Sequence, residues 1–116
     1  MLFLGDSIPA GYGLDGYTDS DNYNCESYSN ILKVKYETEL SEICNHEMQN
    51  FAVSGATSDD LLNLLDSGKL DSALESSNAV VVSIGGNDML HIMFSMLSDL
   101  GMSSENRTID IISIIV

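Results

Sequence analysis

The stretch Ala79-Val80-Val81-Val82-Ser83-Ile84, followed at once by Gly85-Gly86-Asn87-Asp88, decides the fold. A continuous β-branched run of this length reads as a strand buried on both faces, as in the centre of a parallel sheet. The glycines end it abruptly. A helical pattern then starts at Asp88, with Leu90, Met93, Phe94 and Leu97 on one side, and stops at Gly101.

Working back towards the N-terminus, the same alternation repeats. Ser58 reads as an N-cap, with Asp59 and Asp60 in a first turn whose dipole favours acid. Leu61, Leu62, Leu64 and Leu65 follow, Gly68 closes the helix, and residues 70–76 add another turn or two. Residues 49–53 read as a short strand. Residues 26–43 read as a helix whose apolar stripe is Tyr28, Leu32, Tyr36, Leu40 and Ile43. Residues 2–5 form the first strand, and a long loop rich in Gly, Asp, Asn and Tyr spans residues 6–24. Residues 109–116 fit strand and helix equally. The order β-α-β-α-β-α implies a parallel sheet with helices on both faces.

Composition narrows the function. The chain has 116 residues, enough for one modest domain. Eighteen acidic residues against four basic ones give a net charge of −14, which repels phosphate backbones and argues against nucleic-acid binding. The apolar run at 109–116 is far shorter than the ~20 residues a membrane helix needs. No signal peptide precedes the first strand, so compartment stays open, an extracellular or cell-surface site included. Cys25 and Cys44 bracket the long helix; a straight helix would hold them roughly 28 Å apart, too far for a disulfide. Two free thiols are expected. Asp15, Asp19, Asp21 and Asn24 lack the glycine and terminal glutamate of a calcium loop. No metal or cofactor is expected, and that loop reads as a solvated rim where Tyr12, Leu14 and Tyr17 could meet a substrate.

Three motifs fall at C-terminal strand ends, where open α/β sheets bind ligands. Gly5-Asp6-Ser7 offers a hydroxyl lifted off the sheet edge. Val53-Ser54-Gly55-Ala56-Thr57 offers backbone N–H groups unshielded by a Cβ. Gly85-Gly86-Asn87-Asp88 offers a side-chain amide. Singly, each fits a turn or a helix cap. Together they supply a nucleophile and an oxyanion hole, the parts acyl transfer needs.

In order, spacing and strand context, Leu4-Gly5-Asp6-Ser7-Ile8-Pro9-Ala10-Gly11-Tyr12-Gly13, then Asn50-Phe51-Ala52-Val53-Ser54-Gly55-Ala56-Thr57, then Ile84-Gly85-Gly86-Asn87-Asp88, resemble the first three sequence blocks of the SGNH hydrolases, the GDSL-type lipases and esterases. The resemblance covers roughly residues 2–100. It implies a flavodoxin-like three-layer α/β/α fold with a parallel sheet, here truncated after the third strand and helix. It also implies serine-dependent hydrolysis of a small-molecule carboxylic ester, of lipase, esterase, lysophospholipase or carbohydrate deacetylase type. Ser7 would be the nucleophile, and the N–H groups of Ser7 and Gly55 with the Asn87 side chain would form the oxyanion hole.

The family's closing D-x-x-H block, which carries the base and its acidic partner, is not found in a fitting place. Asp88-Met89-Leu90-His91 has the spacing but overlaps the third block and opens a helix leading away from the site. His46 precedes the second strand, near the opposite sheet edge. The expectation is therefore a partial domain over residues 1–116, inactive alone, with an exposed sheet edge prone to self-association. The competing reading is a non-catalytic flavodoxin-like binding or interaction module. It is weakened by the absence of a P-loop lysine or G-x-G-x-x-G spacing.

Overall fold

A computed structural model describes residues 1–20, 23–40 and 47–101 of the chain. The elements run β1 (Leu2–Gly5), α1 (Ser7–Ala10), α2 (Tyr28–Leu40), β2 (Gln49–Asn50), α3 (Ser58–Asp66), α4 (Asp71–Glu75), β3 (Val80–Ser83) and α5 (Gly86–Asp99). The strands form a three-stranded parallel sheet in the order β2-β1-β3. This is the expected α/β architecture, with one revision. The central strand is β1, buried along its whole length. β3 lies at the edge of this sheet, with Val80 44% and Val82 53% exposed. Its β-branched run identified a strand correctly but overstated its burial, because among the described residues β3 pairs on one side alone.

Side-chain alternation along β1 divides the core between two faces. Leu2 and Leu4 point one way and join Leu70, with Leu61, Leu64, Leu65, Ala73 and Leu74 from α3 and α4 packed against them. Phe3 points the other way and meets the Tyr28 ring of α2 edge-to-face at 6.0 Å. One crossover helix therefore covers one face, and the α3–α4 pair covers the other. β1 connects through α2 to β2, and the chain then returns past β1 to β3. The direction of winding reverses between β1 and β3, the position at whose C-terminal strand ends open α/β sheets bind ligands.

Several boundaries differ from expectation for local reasons. The loop after β1 opens with the short helix α1, capped by the Asp6 carboxylate, which accepts from Ile8 N–H at 3.0 Å. β2 has two ladder residues, yet Phe51 N–H still donates to Phe3 O and Val53 N–H to Gly5 O, both at 2.9 Å. The cap of α3 is Thr57 rather than Ser58; Thr57 and Asp60 form a reciprocal capping box. α5 begins at Gly86, two residues before Asp88, with Gly85 as its cap at φ +112°.

On α2 the apolar stripe was a poor guide. Tyr28 and Leu32 are half-buried and Tyr36 is exposed, while Ser27, Ser29 and Asn30 are buried. Those polar residues are buried because each finds partners. Ser29 Oγ donates to Pro9 O at 2.6 Å, and Asn30 Nδ2 donates to Cys25 O at 2.6 Å. Leu90, Met93, Phe94 and Leu97 do form the inner side of α5, all half-buried. Cys25 is a buried free thiol. Cys44, Ile43, His46, Asp21 and residues 109–116 lie outside the described residues, as does the Leu40 side chain.

Candidate active site

β1 ends in Gly5, whose φ of +148° turns the chain sharply. Asp6 N–H then donates to Ser83 O at 3.0 Å, keeping the first motif locked to β3 as the chain leaves the sheet. Ser7 follows as the first residue of α1, half-buried. Its carbonyl accepts from Gly11 N–H at 2.9 Å and Tyr12 N–H at 3.0 Å. Among the described residues neither its hydroxyl nor its N–H has a hydrogen-bond partner. Both are thus available to a ligand.

The second motif reaches the site as an extension of β2. Gly55 adopts φ +84°, and a Cβ placed on it would meet nothing within 4 Å. The space over this backbone is open. Ala56 N–H closes the turn onto Val53 O at 3.1 Å.

Asn87 ties the third motif to the second. Its Nδ2 donates to Ala56 O at 2.8 Å, which fixes the amide beside Gly55 and uses one of its two N–H groups. Asn87 lies inside α5 rather than capping it, so its amide is free for this cross-link. The first and third motifs also touch: a Cβ on Gly86 would lie 3.6 Å from Asp6 Oδ2. The third motif thus adjoins the second through Asn87 and Ala56, and the first through Gly86 and Asp6.

A second bracket holds α5 against α3. Ser58 N–H donates to Asp88 Oδ2 at 2.9 Å, and the Ser58 hydroxyl donates to Asp88 Oδ1. The Ser58 hydroxyl, then its N–H, holds the Asp88 carboxyl below the usual aspartate range. The backbone N–H and then the hydroxyl of Thr57 do the same for Asp60. His91 is exposed and adds a smaller lowering effect to both acids. Of the Asp88-x-x-His91 pair, Asp88 is thus engaged by Ser58 at the α3–α5 junction. Sequence reading missed Ser58 and Ala56 O as positioning partners. The Thr57-x-x-Asp60 pattern was legible as a capping box, whereas the contact to Asp88 crosses thirty residues and left no local signal.

The loop before α2 is anchored to the same region. Asn50 Nδ2 donates to Pro9 O at 2.8 Å and to Ser29 Oγ at 2.9 Å, while Asn50 Oδ1 accepts from Ala52 N–H at 3.1 Å. One side chain thereby joins α1, α2 and the second motif. Among the described residues no group of three or more His, Cys, Asp or Glu side chains is placed to hold a metal ion.

A three-stranded parallel sheet with helices on both faces defines the class of protein, an α/β protein. The sequence matches the GDSL-like Lipase/Acylhydrolase family over residues 3–103, and the chain belongs to that family. Among solved structures it is similar to AlinE4, an SGNH-hydrolase family esterase. The two are 33% identical with a TM-score of 0.49, and the match covers 78% of this chain and 41% of that one. Two mutants of the same esterase match equally, with identities of 33% and 32%, TM-scores of 0.48, and the same coverage of 78% and 41%. The chain thus spans less than half the length of the esterases it matches. A search of curated proteins finds no match.

Proposed function

We propose that the protein carrying this chain hydrolyses carboxylic esters with Ser7 as nucleophile. The Ser7 hydroxyl attacks the ester carbonyl carbon, and the carbonyl oxygen becomes an oxyanion. The N–H groups of Ser7 and Gly55 and the remaining Nδ2–H of Asn87 hold that oxygen. Collapse expels the alcohol and leaves an acyl-serine, which water hydrolyses. The observation that supports this reading is the 2.8 Å bond from Asn87 Nδ2 to Ala56 O, which holds the amide next to the Gly55 turn.

The reaction also needs a general base. Among the described residues His91 is the one histidine, and it sits with Asp60 and Asp88. We assign the base to the family's D-x-x-H block, with residues 1–116 as the leading part of a larger hydrolase domain. The match to 41% of the length of AlinE4 supports that division. The substrate is a small neutral ester; the net charge of −14 disfavours anionic substrates and nucleic acid. Among the described residues no helix is long and apolar enough to cross a membrane. Exposed Val80 and Val82 on an edge strand support self-association of the isolated chain.

The test is hydrolysis of p-nitrophenyl acetate by the full gene product. Saturable turnover lost in Ser7→Ala, and reduced about 10²–10³-fold in Asn87→Ala, supports the assignment. Full activity in Ser7→Ala refutes it.

A further inference from the structure

The second motif separates two depressions of different chemistry. Paired residues on neighbouring parallel strands face the same side, and Phe3 pairs with Asn50. Asn50, Ala52 and Ser54 therefore face the α1–α2 side, and Phe51 and Val53 face α3. On the α3 side, Phe51, Val53, Leu61 and Leu64 line an apolar depression of about 450 Å³. On the side of α1, the helix that carries Ser7, lies a cavity of about 510 Å³ lined by Tyr17, Asp19, Ser20, Tyr23, Asn50 and Ser54. Both volumes fall within the range of small-molecule sites, about 300–1,000 Å³.

The second cavity adjoins the site through two covalently short paths. Its wall Ala52-Val53-Ser54 runs directly into Gly55. Its floor residue Asn50 bonds Pro9 O, two residues beyond Ser7.

Its lining selects among ligands. Tyr17 Oη donates to Asp19 Oδ1 at 2.7 Å, leaving that carboxylate further acceptor capacity. The hydrogen bond to Asp19 raises the Tyr17 phenol pKa, and both Tyr17 and Ser54 line the cavity. Among the described residues no lysine or arginine lines the cavity. The nearby Lys33 is paired with Glu37 at 3.0 Å. A carboxylate or phosphate would meet Asp19 uncompensated. An alkyl chain would strip water from Asp19, Ser20 and Ser54 without replacing their hydrogen bonds, and the depression below α3 suits it better. An alkylammonium group needs open ring faces. Yet Lys33 Nζ already sits 5.1 Å from the Tyr23 ring centroid, and Tyr17 packs edge-to-face with Tyr12 at 5.5 Å.

We propose that the cavity bounded by Tyr17, Asp19, Ser20 and Ser54 is the subsite for a neutral, hydroxyl-rich part of the ester, a sugar or polyol, with Asp19 and Ser54 as its hydrogen-bonding residues. This rests on the assignment of Ser7 as nucleophile for its link to catalysis, but the binding stands on its own.

The test uses the full gene product with methyl glucoside, tetramethylammonium and hexanoate as probes, followed by NMR of backbone amides and by calorimetry. Methyl glucoside should bind saturably and shift the Tyr17 and Ser54 amides. Asp19→Ala and Ser54→Ala should each weaken it about five- to tenfold, the loss of one hydrogen bond, with the remaining amide spectrum unchanged. In kinetics, Asp19→Ala should lower kcat/KM for acetylated methyl glucoside about tenfold relative to p-nitrophenyl acetate, through KM. Ser7→Ala should abolish hydrolysis while preserving glucoside binding. Glucoside binding insensitive to Asp19→Ala, no glucoside binding, or preferred binding of tetramethylammonium or hexanoate in this cavity overturns the proposal. Hydrolysis that survives Ser7→Ala while glucoside binding still depends on Asp19 removes the nucleophile assignment and leaves the subsite standing.

Discussion

Replacing Gly5 by alanine should damage the molecule more than the same change at any open glycine. Gly5 has φ +148°, and its added Cβ would lie 1.9 Å from Ser83 O and 2.8 Å from Ser83 C. Those are backbone atoms of the neighbouring strand and cannot swing aside. The cost has separate sources. A glycine-only backbone conformation costs a side chain about 1–3 kcal/mol, and overpacking a tight contact about 1–3 kcal/mol. Forcing β1 from β3 also breaks the Asp6 N–H to Ser83 O bond, worth about 1 kcal/mol. A loss of about 3–7 kcal/mol follows, a large part of the ~5–15 kcal/mol that holds a domain together.

Gly13 is the control. It also has positive φ, +84°, but a Cβ there meets nothing within 4 Å. Gly13→Ala should cost only the conformational part, about 1–2 kcal/mol. Urea denaturation followed by circular dichroism measures both. The variants should differ by at least about 2 kcal/mol, with Gly5→Ala the weaker. Equal losses, within about 0.5 kcal/mol, would refute the claim that the β1–β3 approach, rather than chirality alone, requires glycine at position 5.

Other outcomes follow from the same geometry. Leu70 is 1% exposed at the centre of the α3–α4 face, so Leu70→Ala should lower urea stability by about 2–5 kcal/mol. Asp60 and Asp88 are held below the ordinary aspartate value of 3.8 by Thr57 and Ser58. The folded state binds these protons more weakly than the unfolded chain, so their contribution is complete above pH 3.8 and is lost as pH falls through the lower folded values. Thermal melts should therefore weaken with acid in that window, and Asp88→Asn should flatten the dependence; an unchanged slope would refute the Ser58–Asp88 bracket. Val82→Lys should reduce self-association of the chain in light scattering, because Val82 is exposed on the β3 edge; undiminished association would place the contact elsewhere.

The three candidate site residues stand out in the sequence because each follows an apolar run and each motif is local. Gly5, Gly55 and Gly85 all take positive φ, and glycine at a strand end is a direct report of such backbone. The layer order was legible for the same reason: periodicity and punctuation are written within a few residues. What stayed hidden was set by partners distant in sequence. β3 reads as a central strand because composition records the neighbours a strand suits, not those it has among the described residues. The burial of Ser29 and Asn30 left no signal because their partners, Pro9 O and Cys25 O, are carbonyls that leave no trace in a pattern of side chains. Asn50 escaped notice similarly, although it joins α1 and α2 to the second motif.

The most direct test of the central claim is covalent labelling of the full gene product with a fluorophosphonate, located by peptide mass spectrometry. The account predicts one adduct, on Ser7, absent in Ser7→Ala and slowed in Asn87→Ala. Esterase turnover together with an adduct on another residue, or with Ser7 left unlabelled, would contradict it.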